Sequence, residues 1–148
     1  MDERCYFGPM DNLGDADVKR LLIDANTIAL IGASDDPSKP SYDIMRYLID
    51  NDYEVIPVNP YHKRMMGIKC LPSLLDIGAN ADIVNIFRNP EFVVPIIKDA
   101  VRTGSKSVWM QMGVVNKQAF NLSEKAGLVT IMNRCIKVEH DRLIGYAK

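Results

Sequence analysis

Short apolar runs alternate with amphipathic stretches along most of this chain. Thr27-Ile28-Ala29-Leu30-Ile31 is apolar after its first residue and rich in β-branched side chains, the pattern of a strand covered on both faces. Glu54–Val58, Ala81–Phe87, Ser107–Gln111 and Leu128–Met132 repeat it. Between these runs apolar residues recur at spacings of three and four, the helical period: Ile44, Met45, Leu48 and Ile49, then Phe92, Val93, Ile96, Ile97, Ala100 and Val101, then Ala119, Phe120, Leu122 and Ala126. A first helix carrying Val18, Leu21, Leu22 and Ala25 precedes the opening strand, with Asp15 or Asp17 as its cap.

The punctuation agrees with this reading. Pro40 or Ser41 opens the second helix after the polar loop that starts at Asp35, and Pro90 takes the first position of the third with Asn89 as its cap. Gly104 stops that helix, Asn116 caps the next and Gly127 closes it. Pro57 removes a ladder donor from the second strand and limits how far it pairs. A short edge strand is expected around Ile68 to Leu71 and a short helix from Pro72-Ser73, while the stretch from Asn133 to His140 reads as an extended lead into the tail. Residues 1–14, with Gly8, Pro9, Asn12 and Gly14, read as an irregular arm.

Strand and helix alternation from Thr27 to Met132 predicts one α/β domain over 1–148: a Rossmann-like doubly wound parallel sheet of five to six strands, helices on both faces, in three layers. Ligands of such sheets sit outside the carboxyl ends of the strands. That rim holds Gly32 to Ser34, Asn59 to Arg64, Phe87-Arg88, Gln111 to Gly113 and Asn133 to Cys135.

Composition narrows the ligand. The net charge of −1, from 18 basic and 19 acidic residues, gives no global field for nucleic acid or an anionic membrane, so any anion site is local. Three cysteines, Cys5, Cys70 and Cys135, lack CxxC or Cys/His ligand spacing, which argues against a disulfide framework or a metal site and suits the cytoplasm. No apolar run reaches membrane-spanning length. The first loop, Gly32-Ala33-Ser34-Asp35-Asp36-Pro37, has one glycine where a dinucleotide fingerprint has three, and no acid ends the second strand. Plain NAD is therefore disfavoured. The basic pair Lys63-Arg64 suits a ribose bearing an extra phosphate, as in NADP or coenzyme A, or else is simply solvated. A dehydrogenase needs a further region for its substrate, and about sixteen residues follow the last strand, so coenzyme A is the expected ligand.

Several stretches in this order carry a resemblance: Ile31-Gly32-Ala33-Ser34, Pro40-Ser41-Tyr42, Val55 to Pro60, Asp82-Ile83-Val84, Phe87-Arg88, Val108 to Gln111, Gly113 to Asn116, and Asn133 to His140. The chain resembles the CoA-binding domain family, a stand-alone counterpart of the amino-terminal domain of succinyl-CoA synthetase α subunits. The resemblance implies that the backbone of Gly32, Ala33 and Ser34, with Lys39 and Ser41 at the following helix start, binds the pyrophosphate. It also implies that Val58, Asn59 and Pro60 line the adenosine pocket, that Lys63 or Arg64 meets the ribose phosphate, and that Phe87 and Arg88 flank the nucleotide. The pantetheine arm is then expected to run toward Gln111, Gly113 and Asn133, with Arg134 beside it. Where the family carries an acid before Arg134, this chain has Asn133.

The expected activity is binding of CoA or an acyl-CoA without catalysis. The synthetase domain relies on a phosphorylated histidine from a different domain. His62 and His140 are the only histidines here, and neither adjoins an oriented acid in an extended chain. Cys135 and the methionines near the rim are read as packing residues. The alternatives are the CoA site of a multi-subunit acyl-CoA synthetase or transferase, and an NADP-dependent reductase; the expected partner is the small-molecule ligand CoA or acyl-CoA, joined by a second copy in a homodimer or by a synthetase subunit.

Overall fold

The structure, a computed structural model, describes residues 8–145. Helix α1 (Asp15–Asp24) leads into β1 (Thr27–Ile31), followed by α2 (Pro40–Asp50), β2 (Glu54–Val58), the small strands β3 (Arg64–Met65) and β4 (Ile68–Lys69), β5 (Ile83–Ile86), α3 (Val93–Arg102), β6 (Ser107–Met110), α4 (Lys117–Lys125), β7 (Val129–Met132) and α5 (Ile136–Leu143). Five strands form one parallel sheet in the order β2-β1-β5-β6-β7, and β3 pairs antiparallel with β4 beside it. A single parallel bridge joins Leu71 to Val58 on the outer edge of β2. Counting that residue as a vestigial third strand gives the Rossmann order, with β1 in the middle.

Pro57 explains why the outer edge stays thin. Its carbonyl accepts the Leu71 amide and Leu71 returns its own carbonyl to the Asn59 amide, so the proline's missing N–H falls on the side away from β1. The β1–β2 register is intact along all five residues.

Side-chain alternation splits the core into two layers. Ala29, Ile31, Val84, Ile86, Val108 and Met110 face α3 and α4. Ile28, Leu30, Ile83, Trp109 and Ile131 face α1, α2 and α5. Each strand therefore reads as continuously apolar, because both faces are covered. Burying a large aliphatic side chain on either face contributes roughly 1.5–3 kcal/mol, which is why these runs specify the fold.

Local signals fared unevenly. Asn116 caps α4 through the Ala119 amide at 2.9 Å, as its spacing predicts. Asn89 does not cap with its side chain; a 3-10 turn at Pro90–Phe92 precedes α3 instead, and Asn116 Nδ2 holds the Pro90 carbonyl at 2.8 Å. Asp17 reaches back to the Gly14 amide rather than sitting at the start of α1 itself. The predicted arm over 1–14 is irregular in its described portion, residues 8–14, while residues 1–7 lie outside the described residues. The described portion is tied to the sheet end, with the Met10 amide on the Met132 carbonyl at 3.0 Å. The extended tail expected after Asn133 is helix α5 from Ile136 onward.

Candidate functional site

Register sets the site. Ile31 is level with Val58 on one side and Ile86 on the other, so Gly32, Asn59 and Phe87 leave three adjacent strands at the same height. Their loops diverge above the sheet and bound a cleft of about 690 Å³, within the usual range for a small-molecule pocket. Gly32, Ala33, Ser34, Lys39, Ser41, Val58, Asn59, Pro60, Phe87 and Arg88 all line it. Tyr61, inside the predicted rim segment Asn59 to Arg64 but given no role of its own, lines it too, while sequence reasoning missed the Pro72–Leu74 turn, and Phe92, Pro95, Ile96 and Asp99 of the third helical segment.

Gly32 serves the fold more directly than a ligand. Its φ of +84° and a Cβ that would sit 2.2 Å from the Phe87 carbonyl oxygen exclude any side chain. Its amide donates to the Val58 carbonyl at 3.1 Å, which ties it to the neighbouring strand. The next two amides, of Ala33 and Ser34, have no hydrogen-bond acceptor among the described residues. Asn59 Nδ2 holds the Ala33 carbonyl at 2.9 Å, fixing the turn, and Asn59 Oδ1 accepts from the Tyr61 amide at 2.8 Å.

The loop from Ser34 to α2 is folded on itself. Ser34 Oγ accepts from the Asp36 amide at 3.0 Å, and the Asp36 carboxylate accepts from the Ser38 amide and hydroxyl at 2.9 and 2.8 Å. Those bonds from Ser38 hold the Asp36 carboxyl below the usual carboxylate range. Helix α2 starts at Pro40, and its preceding residue Lys39 supplies no side-chain cap. Its open N-terminus faces the cleft beside Lys39 and Ser41. Arg88 stands across from it with its guanidinium 4.8 Å from the Phe92 ring centroid, a contact that orients the cation. This donor set fits a diphosphate: two backbone amides, a helix start, a lysine and an arginine.

The other predicted residues lie elsewhere. Lys63 and Arg64 are exposed on the β3–β4 hairpin, outside the cleft wall, and Arg64 Nη2 donates to the Gly67 carbonyl at 2.7 Å. Gln111 is buried; its Oε1 accepts from the Ile136 amide at 2.9 Å and from Asn85 Nδ2 at 3.3 Å, pinning α5 to the sheet. Asn133, in the left-handed region, joins the Gly113 amide to the Gly8 carbonyl, each at 2.8 Å. Arg134 is buried and bonded to Asp11, Glu139 and the Leu13 carbonyl. Lys63, Arg64, Gln111, Asn133 and Arg134 are committed to internal bonds or to solvent rather than to the cleft.

The chemically reactive side chains are also placed. His140 is buried between Tyr47, whose hydroxyl lies 2.8 Å from His140 Nδ1, and the edge-on ring of Tyr53. Burial, with the neighbouring Tyr47, pushes the Tyr53 phenol up to about 12. Burial raises the Cys70 thiol as well, despite the sulfur's contact with the Asn59 carbonyl. Among the described residues, no histidine or cysteine lines the cleft.

Comparison with known proteins bears on this arrangement. The profile of the CoA binding domain family matches residues 26–141, which takes in the whole sheet and the cleft. The chain belongs to this family. It is 36% identical over 131 residues to the uncharacterized protein YneT of Bacillus subtilis, covering 88% of this chain and 97% of that protein. A solved structure of a hypothetical protein from Pyrococcus horikoshii superimposes with a TM-score of 0.90 at 38% identity, covering 93% and 96% of the two chains. The ADP-forming acetate–CoA ligase of Methanocaldococcus jannaschii is 36% identical over 81 residues, and the match covers 54% of this chain but 11% of the ligase. Among the described residues no helix is long and apolar enough to cross a membrane.

Proposed function

We propose that this CoA-binding domain holds coenzyme A or an acyl-CoA in the cleft between β1, β2 and β5, and acts by binding, without catalysis of its own. The observation that carries this reading is the convergence of the Ala33 and Ser34 amides, the open start of α2, Lys39 and Arg88 on one mouth of a cleft inside the family match. The pyrophosphate sits there, and the adenosine passes Val58, Asn59 and Pro60 with its base directed down the cleft toward Leu74 and Ile96. The exposed Lys63 reaches the ribose phosphate from outside the cleft wall.

Calorimetry with CoA, dephospho-CoA, NADP and NAD tests it. CoA is expected to bind and NAD to fail. Lys63→Glu is expected to weaken CoA about tenfold, since a charged hydrogen bond contributes roughly 1.5–3 kcal/mol, and to leave dephospho-CoA unchanged. Equal effects on both ligands would remove Lys63 from the site.

The similarity to an acetate–CoA ligase favours a second reading, in which this chain supplies the CoA site to an acyl-CoA synthetase completed by another subunit. Co-purification with an ATP-grasp-type partner and acyl-CoA formation by the mixture would establish it.

A further inference from the structure

The cleft has a second end of opposite character. Phe92, the residue just before α3, and Ile96 and Asp99 within it follow one another at spacings of four and three, so they fall in a line down one side of this helical segment. Asp99 lies about 9 Å along the helix axis from Val93, at 1.5 Å per residue, and therefore well below the cationic rim. Among the described residues it is the one acid that lines the cleft, it is partly buried, and its carboxylate has no hydrogen bond or ion pair with them. Lys39 and Arg88 belong to the opposite end, Lys39 immediately before α2 and Arg88 just after β5. Between the two ends the walls are apolar, Leu74 on one side and Phe92 and Ile96 on the other.

A molecule that fills such a slot needs three parts in order: an anion, a flat apolar body and a hydrogen-bond donor. A nucleotide whose base carries an exocyclic amino group has all three. A phosphate at the Asp99 end would meet a like charge in a half-buried site, so the slot also fixes the ligand's direction. We propose that Asp99 accepts a hydrogen bond from the 6-amino group of adenine and makes this cleft select adenine over hypoxanthine, whose 6-oxo group would face the carboxylate. The inference rests on the reading of the cleft as a nucleotide site, but an adenine nucleotide other than CoA would satisfy it equally. A site built to pair a buried polar group rejects the analogue that cannot pair.

Calorimetry of the intact protein with ADP and IDP reads the effect directly. ADP is expected to bind at least about tenfold more tightly than IDP, the scale of one charged hydrogen bond. In Asp99→Asn, whose carboxamide both donates and accepts, the preference is expected to shrink to within about threefold. Equal binding of ADP and IDP by the unmodified protein, failure of ADP to bind at millimolar concentration, or an undiminished preference in Asp99→Asn would each overturn it. A parallel titration with CoA separates the two readings. CoA binding with no ADP preference leaves the CoA site and removes Asp99, whereas an intact ADP preference without CoA binding does the reverse.

Discussion

Gly32 shows how one residue can be located correctly and interpreted too narrowly. The strand-then-glycine pattern marks the mouth of the cleft, yet what the glycine admits is the Phe87 carbonyl, 2.2 Å from where a Cβ would stand. Gly32→Ala is accordingly expected to destabilise the fold by about 2 kcal/mol or more, from the left-handed backbone and from displacement of the β5 end. Urea denaturation would measure it, and a loss below about 0.5 kcal/mol would show that the loop yields freely. The same distinction separates the other rim residues. Topology places Gln111 and Arg134 at the carboxyl end of the sheet, as the alternation of runs foretells. Which way each side chain points depends on partners such as Ile136 and Asp11, and these are 25 and 123 residues away in sequence. Ala33, Ser34, Asn59 and Arg88 were legible as residues of the cleft because their position follows from the strand ends alone.

Two helices mark where hydrophobic periodicity stops being informative. Along α3 and the turn before it the broad apolar stripe serves two surfaces: Val93, Ile97 and Ala100 are buried against the sheet, while Phe92 and Ile96 turn to the cleft. In α5 the inward positions are Ile136, Glu139 and His140, so two of the three buried residues are polar and the period goes unseen. What holds α5 is electrostatic as much as apolar. Glu139 accepts from Arg134 Nη1 at 2.8 Å and from Arg142 Nε at 3.0 Å, and Arg134 also grips Asp11 at 2.8 Å. Burial alone would raise the Glu139 carboxyl, but the bonds from Arg142 and Arg134 outweigh it and hold it below its ordinary 4.5. A carboxyl depressed in the folded state contributes stability that is fully present above the unfolded value of 4.5 and is lost as pH falls through the native value. The thermal midpoint is therefore expected to fall on acidification below about pH 4.5, and Glu139→Gln is expected to flatten that limb while lowering the neutral-pH midpoint. An acid limb of unchanged steepness in Glu139→Gln would assign the titration to other carboxylates.

At the scale of the molecule, the cleft and the Arg134 cluster are separate devices on one sheet, and coupled folding and binding can tell them apart. A ligand that binds only the folded state stabilises it by roughly 2.7 kcal/mol at a concentration of 100 Kd. For a chain of 148 residues that amounts to a rise in Tm of about 5–10 °C. Arg88→Ala removes a cleft cation that, among the described residues, is braced only on the Phe92 ring, so the ligand-free Tm is expected to stay within about 2 °C while most of the rise with CoA disappears. Arg134→Gln has the reverse signature. It leaves the Asp11 carboxylate buried without its cation and Glu139 with Arg142 alone, a loss of about 3–5 kcal/mol, so the ligand-free Tm drops by about 10 °C or more. The CoA-dependent rise is nevertheless expected to survive, because no atom of Arg134 lines the cleft. If Arg134→Gln lost the rise at concentrations that saturate the unmodified protein, the pantetheine arm would have to reach the end of β7, and the boundary of the site would move two strands across the sheet.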